Sequence, residues 1–103
     1  MLLAIDIGNT NIEFGVFEGE TLLRSARLGT NRDATSDEIG IFIRQFLLLH
    51  GIDHQKVEDV IIASVVPQIM YSMNNAIRKY LGKTALVVGK ASPIMWPTTM
   101  TTR

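Results

Sequence analysis

Residues 2–17 read Leu2-Leu3-Ala4-Ile5-Asp6-Ile7-Gly8-Asn9-Thr10-Asn11-Ile12-Glu13-Phe14-Gly15-Val16-Phe17. From Leu2 to Ile7 every residue but Asp6 is apolar, as expected of a strand covered on both faces. From Asn11 the pattern alternates, with Ile12, Phe14 and Val16 on one side, as a strand with two unlike faces requires. Between the two runs, Gly8 to Asn11 supplies residues that tolerate positive φ in tight turns. The stretch predicts an antiparallel hairpin whose first strand ends beside a carboxylate. What that carboxylate serves depends on the rest of the chain.

Glu18-Gly19-Glu20 reads as a turn, and Thr21 to Leu28 as a third strand whose Arg24 and Arg27 suggest an edge open to water. Thr35-Ser36-Asp37-Glu38 is a capping box, in which Thr35 caps the helix and Glu38 reaches back. Ile39, Phe42, Ile43, Phe46 and Leu47 recur at helical spacing, and Gly51 is the stop. Val60 to Val66 has the composition of a parallel strand, ended by Pro67, which opens the next helix. Its stripe is Ile69, Met73, Ala76, Ile77, Tyr80 and Leu81, with Gly82 closing it, and Thr84 to Val88 makes a fifth strand. The order is β-β-β-α-β-α-β, an antiparallel meander followed by helical crossovers of right-handed sense. It predicts an α/β, ribonuclease H-like (actin-like ATPase) domain with a mixed five-stranded sheet and flanking helices.

The chain has 103 residues, enough for one small domain, and its 47% hydrophobic and 19% charged content suits a packed core. Ten basic residues balance ten acidic ones, which disfavours a nucleic-acid partner, since such proteins carry a basic patch. Without cysteine, a disulfide framework and a thiolate metal site are both excluded. No apolar run is long enough to span a bilayer and no signal peptide is evident, so a cytoplasmic location without membrane contact is expected. Lys90 to Arg103 holds two prolines and Thr98-Thr99-Met100-Thr101-Thr102 without periodicity, and reads as loop or disordered tail. Within it Trp96-Pro97 either docks on the body or hangs free.

On this frame the opening turn can bind phosphate. A Gly-containing turn offers backbone N–H donors, and Asn9, Thr10 and Asn11 add side-chain donors. Asp6 would not touch phosphate, because like charges repel, but would hold Mg²⁺ directly or through water. A hairpin with no further role remains the competing reading of these six residues.

Asp6 to Asn11, followed by Phe14-Gly15-Val16, resembles the first phosphate motif of the type III pantothenate kinases, members of the acetate kinase, sugar kinase, Hsp70 and actin superfamily. Ile62-Ala63-Ser64-Val65-Val66-Pro67 resembles that family's strand-to-helix junction, Thr35 to Gly40 the start of its first helix, and Leu86-Val87-Val88-Gly89 its next strand. The resemblance runs in order over residues 1–89. It implies that Asp6, Ile7, Gly8, Asn9, Thr10, Asn11, Ile12 and Glu13 bind ATP, with Asp6 near Mg²⁺, and that Ser64 to Pro67 shape the cleft floor. It further implies phosphoryl transfer from ATP to pantothenate, the first step towards coenzyme A, with a monovalent cation (K⁺ or NH₄⁺) and a homodimer.

The chain also departs from that family. After the fifth strand the family continues to a Gly-Ala-Asp-Arg motif, whose Asp is the catalytic base, and to a second domain. Here residues 1–89 match the N-terminal actin-like ATPase domain, whereas 90–103 diverge and carry no such motif. The expectation is a truncated gene product, with a shifted reading frame one account of its end, that is inactive alone, with no catalytic residue assigned.

Other readings fare less well. His50 and His54 have helical metal-like spacing, but Gly51 falls between them and no third ligand is evident, short of a zinc set. Arg78 and Lys79 most simply complement the dipole at a helix C-terminus. A nuclease of this fold would need further carboxylates near Asp6, whereas Glu58 and Asp59 start the fourth strand and Ser64 lies near its end. A nucleotide-binding or Bvg accessory factor-like regulatory protein is the alternative without catalysis.

Overall fold

Leu2–Ile7 forms β1, and in this computed structural model, which describes residues 1–88, it is the central strand of the sheet. The others are β2 (Asn11–Glu18), β3 (Thr21–Gly29), β4 (Asp59–Ser64) and β5 (Leu86–Val88), in the spatial order β3-β2-β1-β4-β5. β1, β2 and β3 pair antiparallel, while β4 and β5 run parallel to β1. Helices α1 (Ser36–Leu49) and α2 (Pro67–Leu81) make the connections on either side of β4. This is the ribonuclease H-like arrangement that the element order predicts. The expected tail, residues 90–103 with Trp96-Pro97, lies outside the described residues.

One face of the sheet is the core. Leu3, Ile5 and Ile7 stand opposite Val16, Phe14 and Ile12, and all six are at most 1% exposed. They pack with Val60 and Ile62 of β4, with Ile39, Ile43, Phe46 and Leu47 of α1, and with Ile69, Met73, Ala76, Ile77 and Leu81 of α2. The Phe14 ring meets that of Phe42 at 5.0 Å, a spacing in the favourable range for aromatic pairs. Asp6 belongs to the other face, where its cross-strand neighbours are Glu13 and Ala63.

Both helices begin and end by identifiable chemistry. The Thr35 hydroxyl accepts from the Glu38 N–H at 3.1 Å and the Glu38 carboxylate accepts from the Thr35 N–H at 2.9 Å. Pro67 occupies the first turn of α2, and Gly82 ends it at φ 67°, in the left-handed region that glycine enters without strain. Gly51, at φ 69°, follows the His50 cap of α1.

The helices lean on each other closely. A Cβ added at Gly40 would lie 2.0 Å from Cδ1 of Tyr80, so glycine is what lets α2 approach. Above it, Asp37 accepts from Lys79 Nζ at 2.8 Å and from the Tyr80 hydroxyl at 2.7 Å. Lys79 therefore bridges to α1, a role beyond complementing its own helix end.

Three departures from the expected elements stand out. β4 stops at Ser64 rather than Val66, because the Ser64 hydroxyl accepts from the Val66 N–H at 3.0 Å and turns the chain. β5 starts at Leu86 rather than Thr84. A short 3₁₀ turn, His54–Lys56, follows Asp53, whose carboxylate accepts from the Gln55 N–H.

Candidate phosphate-binding site

The hairpin turn after β1 is closed by the Gly8 N–H, which donates to the Asn11 carbonyl at 2.9 Å. Positive φ is not how it turns. Among the described residues only Gly19, Gly51 and Gly82 have it, so Gly8 is there for space. A Cβ at position 8 would sit 3.3 Å from the Asn11 oxygen, tighter than ordinary van der Waals contact. Asn9 and Thr10 are exposed, and Gly8 and Asn11 half-buried, so with the Gly8 N–H spent inside the turn the polar groups nearest solvent are those of Asn9 and Thr10.

Two further segments converge on the turn. The Thr30 N–H donates to the Thr10 carbonyl at 2.9 Å, and the Thr30 hydroxyl donates to the Gly8 carbonyl at 2.8 Å. Arg32 Nη2 donates to Asn9 Oδ1 at 3.0 Å. On the other side the Val65 N–H donates to the Ile7 carbonyl at 3.1 Å, which brings the β4–α2 junction against the end of β1. Ser64, opposite Ile7 in the register, thus borders the turn.

The stretch from Asp6 to Glu13 divides by face. The side chains of Ile7 and Ile12 are buried in the core, and both residues are paired with a strand on either side. Asp6 is half-buried at the mouth of the turn. Glu13 is engaged across the sheet: its Oε1 accepts from Arg27 Nε at 3.1 Å and lies 3.0 Å from Nη2. The angle at Nη2 is poor, so that buried nitrogen makes a charge contact without a hydrogen bond. Arg27 is accordingly a partner of Glu13, not a solvated edge residue like Arg24.

Thr30 and Arg32 escape a reading of the sequence, because their place depends on the register that sets Asn11 opposite Gly29. The signal available is a basic residue in the Asn31-Arg32-Asp33 link between strand and helix. A cavity of about 270 Å³ next to the turn is lined mainly by apolar side chains, among them Ile12, Leu28, Phe42 and Ile69. Its polar side chains are Asn31 and Glu38, one amide beside a carboxylate, a poor set for an anion. Among the described residues no group of three or more His, Asp or Glu side chains is arranged to hold a metal ion. Asp59 pairs with Leu2, four residues along β1 from Asp6, or roughly 13 Å at the rise of a strand. The acid that does neighbour Asp6 across the sheet is Glu13, and it is engaged by Arg27.

The model of the type III pantothenate kinase family matches residues 2–101. The type III pantothenate kinase of Bifidobacterium longum subsp. infantis is 48% identical over 89 residues, covering 86% of this chain and 35% of that protein. Its counterpart from Syntrophotalea carbinolica is 42% identical over the same length. The chain spans about a third of the length of these curated relatives. Among solved structures, a ROK hexokinase from Thermus thermophilus is similar with a TM-score of 0.65 at 16% identity, over 87% of this chain and 34% of that one. YeaZ from Pseudomonas aeruginosa is similar with a TM-score of 0.59 at 16% identity, over 85% of this chain and 43% of that one. At such identity the likeness is one of fold.

Proposed function

Because the chain belongs to the type III pantothenate kinase family, we propose that its Gly8–Asn11 turn is the ATP-phosphate half of a site that phosphorylates pantothenate. The observation that carries this reading is an exposed, donor-rich turn, braced from Thr30 and Arg32, with a carboxylate at its mouth. The reaction moves the γ-phosphoryl group of ATP to a hydroxyl oxygen of pantothenate. The bond to the β-phosphate oxygen breaks, ADP leaves, and the hydroxyl proton passes to a base that residues 1–88 are not assigned to supply.

The turn's part is positioning and charge balance, which dominate phosphoryl transfer. Backbone N–H groups and the Asn9, Thr10 and Asn11 side chains would hold the phosphate oxygens in line. Asp6 fits a hard cation, since it offers carboxylate oxygen beside, and not within, the donor cradle. Mg²⁺ bound there would neutralise the charge shared by the β- and γ-phosphates. Ile7 and Ile12 would act through the core, keeping the turn's two stems rigid. Glu13, held by Arg27, would stay off the phosphates. The same proposal includes a K⁺ or NH₄⁺ requirement, a homodimer and a cytoplasmic location, all supported by family likeness. No helix among the described residues is long and apolar enough to cross a membrane.

Titrating Mg·ATP into the ¹⁵N-labelled chain tests the reading. Amide shifts centred on Gly8 to Asn11 are expected, and Asp6→Asn should weaken binding about tenfold or more, the scale of one lost charged interaction. Shifts scattered elsewhere, or none, overturn the nucleotide site. Unchanged affinity in Asp6→Asn overturns the metal role alone.

A further inference from the structure

We propose that Arg32 is a polyphosphate-binding residue, which orients the Asn9 amide and carries positive charge to the lip of the turn. The inference rests on the reading of that turn as an ATP-phosphate site, and names a residue outside the Asp6–Glu13 stretch.

A guanidinium has donors and no acceptor. The Asn9 atom it meets at 3.0 Å must therefore be the carbonyl oxygen, Oδ1. With that oxygen taken, the amide NH₂ becomes the end that Asn9 turns to a ligand. An anion needs that orientation, since the opposite one would present it with a carbonyl oxygen. Arg32 thus selects the donor-outward state of a side chain that could otherwise flip.

The charge argument is separate. Asn9 is neutral, so this contact does not cancel the positive charge of Arg32. The residue is exposed, and an exposed guanidinium retains N–H groups for a second partner. Phosphate oxygens suit its planar fork, which binds them in pairs.

The backbone that carries Arg32 is held in place. Thr30 is bound twice to the turn. Asn31 Oδ1 accepts from the Asp33 N–H at 3.0 Å, and the Asn31 carbonyl accepts from the Ala34 N–H at 3.1 Å. Arg32 therefore stands on a closed bend, whose two sides are a strand end and the capped start of α1. A side chain on a fixed base loses less freedom when it meets a ligand.

The test compares ATP, ADP and AMP, each with Mg²⁺, on the full chain, its Arg32→Gln and Arg32→Lys variants, and Asn9→Ala alone and with Arg32→Gln. If Arg32 serves the polyphosphate, Arg32→Gln weakens ATP about tenfold or more, and AMP by no more than about twofold. Arg32→Lys recovers part of the loss, because it keeps the charge and loses the fork. Asn9→Ala costs less on top of Arg32→Gln than alone, as expected of coupled residues. Unaltered melting temperatures keep these effects apart from folding.

Equal losses for the three nucleotides, or no loss while the wild-type chain still shifts Gly8 to Asn11, overturn the role of Arg32 and leave the phosphate site standing. A wild-type chain whose turn amides do not respond to Mg·ATP overturns both.

Discussion

Gly40 and Tyr80 make the tightest fit between the helices, and the cost of disturbing it can be stated. A methyl group at position 40 would enter the Tyr80 ring near its root, where the side chain has little room to bend away. The ring is also held at its far end, by the hydroxyl bond to Asp37. Overpacking of this kind costs about 1–3 kcal/mol, against which the better helix propensity of alanine returns up to about 1 kcal/mol. Gly40→Ala should therefore destabilise by about 1–2 kcal/mol, seen in thermal unfolding as a fall in Tm of about 5–10 °C. A gain in Tm would show that the helices can part without loss. Phe14→Ala tests the core in the same way. Its ring is fully buried and tilted against that of Phe42, and its loss should cost about 3–5 kcal/mol.

The two helices are joined at the level of elements by the Asp37–Lys79–Tyr80 group, which titrates at both ends of the pH scale. Hydrogen bonds from Lys79 and Tyr80 hold the Asp37 carboxyl below its ordinary value. A depressed acid stabilises the fold above its unfolded value and loses that contribution as pH falls through its folded one. The hydrogen bonds to Asp37 also raise Lys79 and Tyr80 above their ordinary values. Their contribution is complete below the unfolded values and is lost as pH rises through the folded ones. The Tm difference between wild type and Asp37→Asn should be level through neutral pH and close at acid and alkaline extremes; a difference that persists at both extremes would remove charge from the account. Elements were the most legible level of the sequence. Thr35 and Glu38 declare one helix start, Pro67 the other, and Gly51 and Gly82 the ends, because caps are local chemistry. The end of β4 was less legible, since the Ser64 turn competes with an apolar run that looks able to continue through Val66. The pairing of Asp37 with Lys79 is a long-range contact with no local signature.

Across the molecule, β1 is bonded on both sides and its inward residues are wholly buried, whereas β3 and β5 are the edges among the described residues. Amide exchange should be slowest at Leu3, Ile5 and Ile7, approaching global unfolding, and faster at the β3 amides that point away from β2. Early exchange in β1 would contradict a sheet built about that strand. The strand order could be anticipated from the element order, but the register could not. It is the register that carries Glu13 to Arg27 and Thr30 to the turn. Half of the candidate site was therefore visible as a motif, Asp6 to Asn11, and half exists only once the strands are aligned. The double bond from Thr30 to the Gly8 and Thr10 carbonyls has a thermodynamic consequence. A free loop that closes on a phosphate must give up its conformational entropy at that moment, at roughly 1–2 kcal/mol per residue. Here the loss is already incurred when the sheet forms, so the phosphate binding proposed for this turn would need no accompanying local folding.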